Sequence, residues 1–355
     1  MIDFAQAQNA RELLSKMGKS GDLSLYKAAQ DRGISFSALL EEMDPSTPEH
    51  KAAGIDAFKR QLMLFDMTAG GPDNIRVDDF FVKNAMMLLP EYIQREVSAG
   101  YASWFSPVSL LAAQVGDKGP TVTPIYLKTT EAKTHAAKKS DAAGFVRSLI
   151  AYREKPLAMM DRGRQFDFSY KVLRNQSLAE FAIFLRFIGC QIAQDEVDEL
   201  WSVCINGDGT SPAPANSFNG TAGALAYSDL VHLSVAFTPP CELTHILCRA
   251  SDVEKILNLT QWQDPAIWST LQAIERSGRL TGLLPMNARL VIAPNATTKV
   301  LAGIDARWAL RETLAQPLMI EADKIISQKL EYAVISKESV YSVMVDDAIK
   351  KCDYT

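Results

Sequence analysis

The chain of 355 residues has a mass of 39.1 kDa and contains 47% hydrophobic and 22% charged residues. This globular balance excludes extensive disorder, and the length predicts a lobed protein because single cores rarely grow beyond about 250–300 residues. A net charge of −5 argues against nucleic-acid binding over the whole surface, since that function needs concentrated Lys and Arg. Residues 128–174 nevertheless carry a net +6, which leaves −11 for the rest of the chain.

Five widely spread cysteines, an odd number, favour reduced thiols in a core over a disulfide framework. No apolar run reaches the roughly 18–20 residues that span a bilayer, and residues 1–4 resemble no signal peptide. We therefore expect a protein that folds in a cytoplasm and has no membrane partner.

The first 68 residues have apolar side chains at helical spacing, as in Leu13, Leu14 and Met17. Gly and Pro interrupt this pattern at residues 18–22 and 44–48, where one helix should end and another begin. The segment predicts a helical arm whose helices lack a continuous core. A further helical stretch should follow Pro90.

Two apolar segments flank a basic one in the next part of the chain. Residues 121–127 are β-branched and aromatic, and Pro124 among them predicts an edge or bulged strand. Residues 128–144 are polar, and residues 145–152 are apolar again with partial alternation. This order predicts a long β-hairpin with a basic tip, which cannot bury itself alone.

A half-buried strand at 165–172 precedes the strongest helix prediction in the chain. Ser177 and Glu180 form the Ser-x-x-Glu capping-box pattern, and an apolar stripe follows as far as Cys204. The predicted helix, 177–205, would be about 43 Å long at 1.5 Å per residue. Gly189 is the position at which it would bend or break, and residues 206–209 (Asn-Gly-Asp-Gly) form a tight turn.

Beyond a loop at 210–223, helical and strand patterns interleave and predict a compact α/β lobe over 224–315. Apolar segments between 318 and 345 predict strands that return to another sheet. The fold class expected from the whole chain is α+β.

No phosphate-binding loop, dinucleotide fingerprint, zinc-protease motif or nucleophile elbow is present in the sequence. The nearest candidate for a metal or nucleophile site is Cys241 with His245 and Cys248. If 241–249 is a strand, Cys248 points away from the other two, so core packing is the favoured interpretation. A calcium loop at Asn206 is disfavoured because its twelfth position is Ser217.

The basic segment 128–174 has two interpretations. As a nucleic-acid surface it lacks regular aromatic interleaving. As a docking element it is complementary in charge to the remainder of an identical neighbour, which is the interpretation we favour. The candidate contact residues between subunits are then Lys128, Lys133, Lys138, Lys139, Arg147, Arg153, Arg162 and Arg164.

The order of these elements resembles the tailed-phage major capsid proteins, whose Hong-Kong-type fold is also used by encapsulin shells. The similarity covers residues 117–355 and depends more on order and spacing than on any single string. The residues that carry it are 168–177 before the long helix, 205–209 at its end, 283–287, 300–305, and the closing residues 321–326 and 346–351.

This resemblance implies a phage major capsid fold in four parts. They are an N-terminal helical arm at 1–116 with a possible scaffold-like segment at 1–68, an extended hairpin loop at 117–165, a peripheral domain at 166–223 and 316–355 with a spine helix at 177–205, and an axial α/β domain at 224–315.

The resemblance also implies a structural function without catalysis, cofactor or metal. The chain would assemble as hexamers and pentamers into the icosahedral head of a virion in the host cytoplasm, with portal and scaffolding proteins as partners, and would enclose double-stranded DNA without sequence-specific binding. The alternatives are an encapsulin-type nanocompartment shell, a cytosolic α/β enzyme using Cys241 and His245, and a nucleic-acid-binding protein working through 128–174.

Overall fold

The structure is a computed structural model that describes residues 5–20, 24–32, 34–67, 75–127, 141, 150–169, 176–218, 220–260, 288–325 and 330–355. Helices and strands both contribute heavily to these residues, so the predicted α+β class is confirmed. The chain divides into two compact units. The first contains residues 1–104, 163–191 and 318–337, and the second contains residues 105–162, 192–317 and 338–355.

Among the described residues, helices dominate the N-terminal third of the chain. The α-helices are α1 (Ala5–Ser20), α2 (Ser24–Asp31), α3 (Phe36–Met43), α4 (Pro48–Ala52), α5 (Ala57–Leu64), α6 (Asp79–Val82), α7 (Leu89–Ser103), α8 (Leu178–Asn206), α9 (Tyr227–Val235) and α10 (Ala250–Leu257). Short 3₁₀ helices occur at Met86–Leu88, Pro107–Leu110 and Asp346–Ala348.

The described strands form two larger sheets and two ribbons. They are β1 (Leu111–Gly116), β2 (Thr121–Val122), β3 (Ile125–Leu127), β4 (Ile150–Tyr152), β5 (Leu157–Ala158), β6 (Met160–Ser169), β7 (His245–Cys248), β8 (Arg289–Ile292), β9 (Val300–Ile304), β10 (Leu310–Ile325), β11 (Leu330–Val343) and β12 (Ile349–Asp353). The strand orders are β1-β10-β11-β6, β12-β9-β7-β8, β2-β5 and β3-β4.

The helices of the first unit share a buried core. Helices α1, α3 and α5 pack against one another, and α1 also contacts the 3₁₀ turn before α7. Leu14, Leu40, Phe58 and Phe80 are each at most 2% exposed in this core. The expectation of helices without a continuous core is therefore wrong. Each short helix contributes too few apolar residues to show a stripe in the sequence, and the core forms only when several helices meet.

A buried arginine fixes the turn between α3 and α5. The side chain of Arg60 is fully buried, and its Nε donates a hydrogen bond to Asp44 Oδ2 at 2.9 Å. Its Nη1 donates to Ser46 Oγ at 2.8 Å, and its Nη2 donates to the carbonyl oxygen of Asp44. A buried charge is tolerated when it is paired and hydrogen-bonded in this way, so Arg60 is part of the core and is not a free cation.

The long helix is continuous. The prediction of 177–205 differs from the observed α8 by a single residue at each end, and Ser177 Oγ accepts a hydrogen bond from the amide of Glu180 at 3.2 Å. The helix continues through Gly189, so the predicted break does not occur. The role of this glycine is close packing, because a Cβ atom at Gly189 would overlap the carbonyl oxygen of Val97 in α7.

A second glycine occupies the other side of the same crossing. A Cβ atom at Gly100 in α7 would overlap the backbone of Arg186 in α8. The side chain of Arg186 forms an ion pair with Glu96, 2.6 Å from its Nε, and the thiol of Cys190 lies 3.2 Å from the carbonyl oxygen of Gly100. The two backbones can therefore approach as closely as they do only because both positions lack a side chain.

The second unit contains the sheet β12-β9-β7-β8. Strand β7 is parallel to β8 and antiparallel to β9, and every residue of β7 and β9 is buried. Helix α9 packs on β12 and α10 packs on β8. The sequence did not predict strand β12. This strand pairs with β9 and so belongs to the sheet of the lobe expected at 224–315. The closing strands were expected to join a different sheet. Within the described residues, no helix combines the length and apolarity needed to cross a bilayer.

The glycine crossing leads to a test of stability. Gly189→Ala and Gly100→Ala should each lower the free energy of unfolding by about 1–3 kcal/mol, because the added methyl group overpacks the contact between α7 and α8. This loss is expected although Ala is the better helix former. Urea unfolding followed by circular dichroism measures it.

The matched control is Gly116→Ala, where the nearest atom to the new Cβ would be the carbonyl oxygen of Leu314 at 3.9 Å. This variant should unfold like the wild type. If both helix variants were as stable as Gly116→Ala, close backbone packing would not be the reason for the two glycines.

Candidate assembly surface

A two-stranded ribbon precedes β6. Strand β3 pairs antiparallel with β4, with Ile125 opposite Tyr152 and Tyr126 opposite Ala151. The ladder continues toward its base with a hydrogen bond from the amide of Arg153 to the carbonyl oxygen of Pro124 at 2.8 Å, and then with the pairing of β2 and β5. The basic tip predicted for 128–144 lies outside the described residues, apart from Asp141.

One face of this ribbon is apolar and exposed. Side chains alternate between the two faces of a strand, so Ile125, Ile150 and Tyr152 share one face. Their exposed fractions are 39%, 70% and 68%. Neighbouring apolar groups of this size in water are a frequent mark of a protein-binding surface. We refer to Ile125, Ile150 and Tyr152 as the ribbon face.

The opposite face of the ribbon is attached to its own unit. The guanidinium of Arg153 lies over the ring of Tyr126, with Cζ 3.9 Å from the ring centroid. Its Nη2 also forms an ion pair with Asp346, 2.6 Å from Oδ1. This stacked and charged contact holds the ribbon from one side, which leaves the ribbon face directed to solvent.

The basic residues proposed as contacts fall into three groups. Arg153 is buried, and Arg162 donates to the carbonyl oxygen and to Oγ of Ser339, at 2.6 and 2.9 Å, and also contacts Glu199. Arg164 is exposed, and its guanidinium donates a hydrogen bond to the side chain of Gln191. The remaining candidates, Lys128, Lys133, Lys138, Lys139 and Arg147, lie outside the described residues.

Net charge points to the hairpin tip and not to the apolar ribbon face. The residues of β3 and β4 are apolar at every position, so the sequence alone does not separate an exposed face from a covered one. A second exposed apolar group lies on α8, where Ile183, Phe184 and Phe187 are each more than half exposed. The hydrophobic stripe of the long helix therefore extends beyond what its own chain covers.

The environments of Cys241 and His245 oppose a reactive pair. Burial, followed by Asp305 and Asp347, raises the pKa of Cys241, whereas burial and then Arg289 lower the pKa of His245 to about 4. Both shifts favour the neutral forms and oppose a thiolate–imidazolium pair. The predicted strand at 241–249 is shorter than expected and begins at His245, and burial also raises the pKa of Cys248.

The Asn-Gly-Asp-Gly segment is a turn closed by Asp208. Its Oδ1 accepts hydrogen bonds from the amides of Thr210 and Ser211 and from Thr210 Oγ1, and its Oδ2 accepts one from the amide of Val343 at 2.9 Å. Gly207 and Gly209 have positive φ angles of 79° and 85° in this turn. No group of residues suited to a metal ion occurs in the described part of the chain.

Neither a protein-family model nor a curated protein sequence matches the chain. Among solved structures, it is similar to a virus-like particle from Pyrococcus furiosus, with 12% identity, a TM-score of 0.46, and coverage of 75% of this chain and 99% of that one. It is also similar to the capsid of a native GTA particle, with 15% identity, a TM-score of 0.49 and coverage of 70% and 90%.

A third similar structure is the holo-SrpI encapsulin complex from Synechococcus elongatus, with 13% identity, a TM-score of 0.45, and coverage of 71% of this chain and 89% of that one. The three structures are thus described as a virus-like particle, a capsid and an encapsulin complex. The likeness concerns the fold alone.

The turn at Asp208 gives a prediction for pH dependence. Burial alone would raise the pKa of Asp208, but hydrogen bonds from Val343, Ser211 and Thr210 outweigh it and hold the pKa below its ordinary value. The carboxylate therefore stabilises the fold above the ordinary pKa of Asp, about 3.9, and this contribution is lost as the pH falls through the lowered value.

Asp208→Asn should be about 1–3 kcal/mol less stable than the wild type at pH 7, because the amide cannot accept all four hydrogen bonds. The difference should shrink on acidification below about pH 4. Urea unfolding at pH 7, 5 and 3.5 measures it, with Asp31→Asn at an exposed position as the control. A constant difference at all three values would contradict this role.

Proposed function

We propose that the chain is the major capsid protein of a tailed phage, a structural shell subunit that assembles with copies of itself. The observation that carries the proposal is the ribbon face. A two-stranded ribbon is marginally stable alone, and this one exposes Ile125, Ile150 and Tyr152 on the side away from its own unit. Such a ribbon gains its stability by lying on another subunit.

The energetics suit repeated assembly. Complete burial of a fully exposed large apolar side chain contributes about 1.5–3 kcal/mol. The three side chains of the ribbon face are 39%, 70% and 68% exposed, so their burial gives a contact of roughly 3–5 kcal/mol before the entropy of association is subtracted. One such contact is weak. A closed shell repeats it at every subunit, and many weak contacts then hold the particle together.

Charge supports the same proposal. The segment 128–174 carries a net +6 and the rest of the chain −11, so the segment of one copy is complementary to the remainder of its neighbour. Arg153 and Arg162 are engaged within the chain, so we assign intersubunit contact first to Arg164 and to the basic residues of the hairpin tip.

In this proposal the particle is an icosahedral head of hexamers and pentamers that encloses double-stranded DNA, with portal and scaffolding proteins as partners and the host cytoplasm as the place of assembly. An acidic subunit suits a container that must not grip its DNA. The content of purified particles distinguishes this head from an encapsulin-type compartment, which would hold protein cargo in place of genomic DNA.

The double variant Ile150→Ser with Tyr152→Ser should abolish assembly, or raise the protein concentration it requires by at least about tenfold, because the ribbon face then loses most of its apolar area. Sedimentation velocity and light scattering measure assembly. Circular dichroism should show the folded spectrum of the wild type.

Ala151→Ser is the matched control, since Ala151 lies on the opposite face of the same strand and opposite Tyr126. It should assemble normally. A double variant that assembled at wild-type concentrations would remove the ribbon face from the contacts of the shell.

A further inference from the structure

A polar pocket lies beside the base of the ribbon in the second unit. Its volume is about 190 Å³, and its lining residues are Tyr126, Arg153, Glu154, Lys155, Gly209 and Thr210. Two segments form it, the end of the β3–β4 ribbon and the turn closed by Asp208. The space is large enough for a carboxylate or a phosphate group. It is bordered by Arg153, the side chain that attaches the ribbon to its own unit.

Arg153 is incompletely satisfied in this pocket. Its side chain is 7% exposed, and its Nη2 forms the ion pair with Asp346. Its Nε, also buried, has no hydrogen-bond partner among the described residues. A buried donor left without an acceptor costs about 1–3 kcal/mol, so the guanidinium group of Arg153 retains hydrogen-bonding capacity that its contact with Asp346 does not use.

The other lining groups supply a second cation and few free acceptors. Lys155 is exposed beside Arg153, and no ion pair of Lys155 occurs within the described ranges. Glu154 is the single acid of the lining, and it is exposed at the rim. Asp208 lies behind Thr210, but both of its oxygens already accept hydrogen bonds from its own turn and from Val343.

We infer that this pocket binds a carboxylate group, held by the guanidinium group of Arg153 and by the ammonium of Lys155. A guanidinium fork matches a carboxylate in geometry, and Asp346 occupies only part of this fork. The source that we assign, a Glu or Asp side chain from a second copy of the chain, rests on the proposed function. Acidic residues outnumber basic ones in the chain by 42 to 37, so a neighbouring copy offers them in excess.

The test uses acetate as the probe and the full-length chain in a form that sedimentation shows to be unassembled, either the dilute wild type or the ribbon double variant. Saturation-transfer difference NMR of the acetate methyl group, at constant ionic strength set with chloride, reports weak binding. We expect a saturable acetate signal with the wild-type chain. Lys155→Met should reduce it at least about fivefold, and Lys155→Arg should restore it, since Arg keeps the charge.

Lys155→Met is preferred to a change at Arg153, which could disturb the ribbon through Tyr126 and Asp346. Lys51→Met, at an exposed lysine of α4, is the matched control and should leave the signal unchanged. No saturable acetate signal, or an equal signal from Lys155→Met, would overturn the inference. Inorganic phosphate that displaced acetate at a tenfold lower concentration would reassign the pocket to phosphate groups and overturn it as stated.

The outcome is independent of assembly. If the chain bound acetate but formed no shells, the inference of a carboxylate pocket would stand and the proposed function would be rejected. If the chain formed shells but its unassembled form did not bind acetate, the proposed function would stand and the inference of the pocket would be rejected.

Discussion

The contact on which the first unit depends most is the crossing of α7 and α8, where two helix backbones touch without intervening side chains. Gly100 and Gly189 make this possible, and the ion pair between Arg186 and Glu96 fixes the same crossing from its edge. Close backbone approach gives dense packing and leaves no room for adjustment. The crossing therefore sets the position of residues 178–191 of α8 against the N-terminal helices, and α8 is the longest helix of the described chain.

Assembly requires surfaces that a subunit cannot cover by itself, and the ribbon face and the exposed stripe of α8 are apolar surfaces of this kind in the described chain. The ribbon face is directed away from the contact that Arg153 makes with Tyr126 and Asp346. The exposed stripe of α8 begins at Ile183, six residues before Gly189. In both places the polar or close-packed side of an element is used within the chain, while its apolar side remains available. This separation of roles is what a shell subunit needs, because folding must not consume the surfaces that build the particle.

Local sequence signals were sufficient for the long helix, since Ser177 gives its start and the apolar stripe continues without a break to its end. They did not reveal the role of Gly189. In a sequence, a glycine that bends a helix cannot be told from one that lets a neighbouring helix approach closely, because the position of the neighbouring helix is not known. The strand β12 was missed for a similar reason, as its residues Ile349–Asp353 become a strand through pairing with β9. Arg153 was predicted as a contact from its charge alone, whereas its burial depends on Tyr126 and on a carboxylate almost two hundred positions away.

The most direct test of a shell subunit is the mass and shape of the particles formed by the purified full-length chain, measured by sedimentation and cryo-electron microscopy over a range of salt and protein concentrations. The account predicts closed shells of megadalton mass, or the capsomers and tubes that arise when closure fails. A discrete monomer of 39.1 kDa under every condition would contradict it.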